Sequence, residues 1–99
     1  MTMEDVEMVN AVVLIEAEAD KITALAEQLV EIEGISEVFS VAGRYDLVAI
    51  IRVSQNQDVA DVVSSKVRHL DGIAKTETLI AFRVYCKEDI EGIFSPGID

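Results

Sequence analysis

Two tetrads thirty-eight positions apart constrain this chain most: Ile32-Glu33-Gly34-Ile35 and Leu70-Asp71-Gly72-Ile73. Each follows an apolar stripe at helical spacing and precedes a strand-like run. Each glycine therefore marks a helix turning into a strand. The first stripe is Ile22, Leu25, Leu29 and Ile32, with Asp20 placed as N-cap and Glu27, Glu31 and Glu33 largely on the other side. The second is Val59, Val62, Val63, Val67 and Leu70, entered through Ser54-Gln55-Asn56-Gln57-Asp58, which offers several caps. Valine is a weak helix former, so period and capping carry that second helix.

Strands fill the spaces between. Val9 to Ala17 is a nearly unbroken apolar run rich in valine. Ile35 to Val53 reads as a hairpin whose two runs meet at Gly43-Arg44-Tyr45-Asp46. Thr76 to Tyr85 is the last strand. The order is β-α-β-β-α-β, two βαβ halves, and the fold expected is an α+β, ferredoxin-like sandwich. Right-handed crossovers put the first and third strands in the centre and the second and fourth outside.

The faces of the central strands add a constraint. Val9, Ala11, Val13 and Ile15 oppose Val12 and Leu14; Leu47, Ala49, Ile51 and Val53 oppose Val48 and Ile50. Helices cover only one face in this fold, yet both faces are apolar, as in a sheet covered on both sides. A second copy packed face to face at about 10 Å supplies the missing cover. The expectation is a homodimer closing into an α/β barrel.

Ninety-nine residues make one domain. The expected boundaries are an acidic N-terminal arm over 1–8, the domain over 9–85, and a C-terminal arm over 86–99. In that last arm the expectation is one or two helical turns over Glu88 to Phe94, burying Ile90, Ile93 and Phe94 against the dimer. The formal net charge of −11 repels phosphate backbones and anionic lipid alike, which excludes direct nucleic-acid binding. No apolar run approaches the ~20 residues of a membrane span. The start Met1-Thr2-Met3-Glu4-Asp5 lacks the basic region of a signal peptide. Cys86 is the single cysteine, so no intramolecular disulfide and no Cys-based metal cluster can be assembled, and His69 is the single histidine. A reduced cytoplasmic compartment fits, with no cofactor. Cys86 reads as a small hydrophobe, and His69 as a cation near a helix C-terminus.

Chemistry concentrates at the hairpin tip. Gly43, Arg44, Tyr45 and Asp46 put a flexible backbone, a cation, a phenol and a carboxylate into four positions. Asp46 can take an ammonium by charge-assisted hydrogen bonds, and backbone N–H groups beside Gly43 can serve a carboxylate. Tyr45 can pack on a ligand and lend its hydroxyl; Arg44 can clamp a carboxylate or meet another subunit. The plainer readings stay open. Gly43 is also a turn-former, Asp46 an Asx-turn cap, Tyr45 a packing residue and Arg44 a solvated tip.

Together these features resemble the effector-binding (RAM) domain of the Lrp/AsnC regulators. Three segments carry the resemblance: Glu33-Gly34-Ile35 through Val38, Val41-Ala42-Gly43-Arg44-Tyr45-Asp46, and Leu70-Asp71-Gly72-Ile73 through Thr76-Glu77-Thr78. The resemblance spans roughly Val9 to Tyr85. It implies a non-enzymatic module that binds a small amino-acid effector between subunits near the hairpin. It also implies dimers assembled into a ring such as an octamer. Thr76 and Thr78, on one face of the last strand, join Gly43, Arg44, Tyr45 and Asp46 as ligand-binding candidates on this ground. Regulators of this family usually carry an N-terminal helix-turn-helix domain. Only about eight residues precede the first strand here, so the expectation is a stand-alone effector module whose output passes to a partner such as a full-length family member.

The competing class is a small cofactor-independent enzyme, monooxygenase- or isomerase-like, on the same dimeric scaffold. It needs a general base or oxidisable group between sheet and helices, where this chain offers mainly Leu, Val and Ile. An ACT-type regulatory domain would instead place its sheets side by side. An RNA-binding domain of similar topology needs strand aromatics and positive charge that are missing here.

Overall fold

A computed structural model of the protein describes residues 8–85 and Lys87. Its elements are β1 (Val9–Ala17), α1 (Ile22–Val30), β2 (Ile35–Ser40), β3 (Leu47–Val53), α2 (Asn56–Asp61) and β4 (Ile73–Ile80). The sheet is antiparallel in the order β2-β3-β1-β4, with the first and third strands central as expected. The segments expected as arms fall outside the described residues, apart from Met8 and Lys87.

The helices cover one face. Ala11, Val13 and Ile15 of β1 and Leu47, Ala49 and Ile51 of β3 are fully buried beneath Leu25 and Leu29 of α1 and Val59, Val62 and Val67 of the second helical segment. No polar or charged side chain is buried among the described residues. Burying each of the larger side chains contributes about 1.5–3 kcal/mol relative to exposure. The opposite face is the apolar one anticipated. Val12, Leu14, Val48 and Ile50 are only half-buried, and Phe39 and Leu79 beside them are exposed.

Gly34 and Gly72 end the helices at φ +102° and +99°, where a side chain is strained. Packing adds a second reason. A Cβ on Gly34 would lie 3.0 Å from a Val62 methyl, and one on Gly72 would lie 2.9 Å from the Lys21 Cβ. The repeated tetrads are thus a repeated close approach.

Three expectations need correction. Asp20 is not the N-cap of α1: a 3-10 turn over Ala19–Lys21 intervenes, Lys21 occupies the cap position, and no side chain caps the helix. Glu18 is instead tied by its N–H to the Gly72 carbonyl (2.9 Å), which sets the path into the helix. The second helix is not uniform. It passes from α2 into a π turn over Val62–Lys66 and a 3-10 turn over Val67–His69. The last strand is Ile73–Ile80, not 76–85. It starts early because Ile73 pairs with Ala17 beyond a bulge, and its ladder ends at the pair of Ile80 with Ala11, two residues short of the start of β1, with Ala81 N–H on the Asn10 carbonyl (2.9 Å). Phe82, Val84 and Tyr85 continue past the ladder, exposed.

Candidate functional site

The loop between β2 and β3 is closed by Val41 N–H donating to the Asp46 carbonyl at 3.0 Å. Gly43 sits at φ +135° with open space around it, and Arg44 is exposed beside it. Asp46 is tied to β1 twice. Its N–H donates to the Ile15 carbonyl (2.8 Å), and its Oδ2 accepts the Ala17 N–H (2.8 Å). That N–H lies where the β1–β4 register shifts, so the carboxylate caps a donor at the irregularity. One Asp46 oxygen therefore has structural work.

Tyr45 goes the other way. Its hydroxyl donates to Glu77 Oε1 on β4 at 2.6 Å, reaching past β1. Glu77 stands opposite Leu14, and cross-strand partners share a face, so the bond lies on the apolar, helix-free side of the sheet. The hydrogen bond to Glu77, then desolvation and the Glu77 charge, hold the phenol above its ordinary pKa of 10.0. Glu77 was not among the expected residues. Period two could have found it, because it alternates with Thr76 and Thr78, but nothing in the sequence pairs it with Tyr45.

The threonines lie elsewhere. Thr76 is opposite Ile15 and Thr78 opposite Val13, both core residues, so both hydroxyls belong to the helix side. Thr78 lines an apolar groove with Val59, Val63 and Ile80. The fold thus brings Tyr45 and Asp46 to the top of β1 but puts Thr76 and Thr78 on the other face from the Tyr45–Glu77 bond. At the far end of the open face, Arg52 Nε donates to Asn10 Oδ1 at 3.0 Å. The open sheet face is therefore an apolar field bounded by two polar cross-strand bridges.

The architecture is thus a four-stranded sheet with one helical face, one bare apolar face and a polar hairpin folded over its rim. Comparison with known proteins agrees: residues 10–90 match the model of the Lrp/AsnC ligand binding domain, and the chain belongs to that family. An uncharacterised HTH-type transcriptional regulator of Pyrococcus horikoshii is 38% identical over 66 residues, 67% of this chain and 43% of the relative. The chain thus spans less than half of that regulator's length. TTHA0845 of Thermus thermophilus is 40% identical with a TM-score of 0.76, over 80% of this chain and 99% of that one. A feast or famine regulatory protein of M. tuberculosis, solved in complex with L-methionine, shares the fold at 21% identity. Its TM-score is 0.67, over 81% of this chain and 54% of that one. The family and its curated relatives are regulators, which makes this chain a regulatory module and not an enzyme. No helix among the described residues is long and apolar enough to cross a membrane.

Proposed function

We propose that the protein is an amino-acid-sensing module that acts as a homodimer and binds its effector where subunits meet at the hairpin. The observation carrying this reading is the Tyr45–Glu77 bond at the rim of the bare apolar face. A second copy seated on that face covers Val12, Leu14, Val48, Ile50, Phe39 and Leu79 and brings a second hairpin rim into the same layer. Apolar fields of this kind mark interaction surfaces. Gly43, Arg44, Tyr45 and Asp46 then form the wall of an inter-subunit site, with Asp46 Oδ1 and the loop N–H groups facing the ligand. Thr76 and Thr78 serve such a site only from the helix side of β4. Family membership and the methionine complex of the M. tuberculosis relative support an amino acid as the effector class.

Dimers of this kind assemble further into a ring such as an octamer, in which a full-length family regulator can share the assembly and carry the signal to DNA. The acidic module itself does not bind nucleic acid, and its compartment is cytoplasmic. Thermal unfolding of the full chain against the proteinogenic amino acids tests the reading. An effector at a hundred times its Kd adds about 2.7 kcal/mol of stability. An unchanged melting temperature with every amino acid at millimolar concentration would refute it.

A further inference from the structure

We propose that the outer edge of β4, prolonged through Tyr85, is a self-association site. The same edge of a second copy pairs with it antiparallel, about a two-fold axis at Ile80. This contact goes beyond the face-to-face pairing, because it uses the rim of the sheet and leaves the bare face free.

The two edges of the sheet differ. β2, at one edge, has six residues, and its pairing with β3 shifts register between Ile35 and Glu37. Short length and irregularity blunt an edge against further pairing. β4, at the other edge, has eight residues, and neither glycine nor proline occurs from Ile73 to Tyr85. Thr76, Thr78, Ile80, Phe82, Val84 and Tyr85 all suit a strand. Past the ladder, Phe82, Val84 and Tyr85 are 99%, 59% and 79% exposed. Apolar side chains gathered in the open mark an interaction surface.

Backbone polarity restricts the register. Ala81 N–H donates inward to the Asn10 carbonyl, so odd-numbered residues of this stretch bond toward β1. Thr76, Thr78 and Ile80 therefore turn their N–H and C=O groups outward, and a partner edge sets even residues against even ones. Charge then picks one register. With Ile80 opposite itself, Arg83 of each copy faces Glu77 of the other, giving two opposite-charge pairs. An axis at Leu79 would set Arg83 against Lys75, and an axis at Ala81 would set it against Leu79. Tyr45 bonds Oε1 of Glu77, which leaves Oε2 for the incoming guanidinium.

The same register serves the helix side. It places Phe82 opposite Thr78, which lines an apolar groove of about 380 Å³ with Val59, Val63 and Ile80. Cross-strand partners share a face, so the Phe82 ring of one copy lies over the groove of the other. No like charges meet anywhere between Lys75 and Tyr85. The chain bends at Phe82 in the single copy, and pairing draws it straight. Residues 75–85 make eleven a side, against the roughly 20–30 a side of a stable interface. The edge is therefore the weaker contact, and it fills only at high protein concentration.

Sedimentation of the full chain over a range of concentrations tests this. Wild-type protein should show a concentration-dependent step whose Kd Arg83→Glu weakens about tenfold. Adding Glu77→Arg to Arg83→Glu reverses both charges and should restore the step. Disulfide trapping reads the register. In a Cys86→Ser background, Glu77→Cys with Arg83→Cys should cross-link two chains on mild oxidation, whereas Lys75→Cys with Arg83→Cys should not. Leu14→Asp should leave that trapping intact, which separates the edge from the bare face. Association indifferent to Arg83→Glu, a swapped pair that fails to restore it, or equal cross-linking by both cysteine pairs would overturn the proposal. Trapping abolished by Leu14→Asp would overturn the edge as a contact of its own.

Discussion

The Tyr45 hydroxyl bonds the Glu77 carboxylate at 2.6 Å, a donor from the β2–β3 loop meeting an acceptor thirty-two residues later on β4. The pair joins the hairpin to the far edge of the sheet and gives the loop a defined posture.

That bond sets a pH signature. The fold favours the neutral phenol and raises its pKa above the ordinary value of 10.0. The bond's contribution to stability is therefore complete below that value and is lost as pH rises through the folded pKa. Absorbance titration should show one tyrosine ionising later than a free phenol, and Glu77→Ala should return it to the ordinary range. Superimposable curves for the two proteins would contradict the bond.

Asp46 should behave as a structural residue before it behaves as a ligand. Asp46→Ala leaves the Ala17 N–H without its acceptor, which costs roughly 1–3 kcal/mol, whereas Asp46→Asn keeps an oxygen there and costs less. Urea unfolding of both variants measures the gap. If asparagine and alanine destabilise equally, the capping role fails.

The glycines should separate by surroundings. Gly34→Ala and Gly72→Ala combine positive φ with contacts of 3.0 and 2.9 Å, and each should cost more than about 1 kcal/mol. Gly43→Ala meets only the backbone strain, having nothing within 4 Å, and should be the mildest. A reversed order in denaturant midpoints would refute the packing argument.

The two sheet faces predict opposite outcomes. Leu29→Ala empties a fully buried position and should cost about 2–5 kcal/mol. Leu14→Asp, on the helix-free face, should leave a folded chain that sediments as a monomer. A Leu14→Asp chain that still self-associates would remove the proposed interface.

Acid should probe the exposed Lys21–Asp71 pair. The Lys21 hydrogen bond and charge hold the Asp71 carboxyl below 3.8, so its contribution is present above that value and fades as pH falls through the folded pKa. Carboxyl titration by NMR should find Asp71 moving up in Lys21→Gln. An unmoved Asp71 would deny the pairing.

The topology was legible because it rests on periodicity: the tetrads at Gly34 and Gly72 and the two-faced runs of β1 and β3 carry it in adjacent residues. The limits of β4 were not, since they depend on its pairing with a distant strand and on the bulge between Glu16 and Ala17. The π turn at Val62–Lys66 left no trace in a valine stripe that suits an ordinary helix equally well. At the hairpin, the residue types were readable but their partners were not. Tyr45 finds Glu77 and Asp46 finds Ala17 only after distant strands have been brought together.

The central place of β1 bears on how the chain acquires its structure during synthesis. β1 is made before the other strands, yet its partners are β3 and, through pairs such as Ala11 with Ile80, the last strand of the sheet. Those pairings lie up to sixty-nine residues apart, so loop closure must precede their reward and folding is slowed accordingly. Until β4 leaves the ribosome, one edge of an apolar strand stays unpaired. The sheet is thus completed late, and the nascent chain carries its most aggregation-prone edge longest on the strand it makes before the rest.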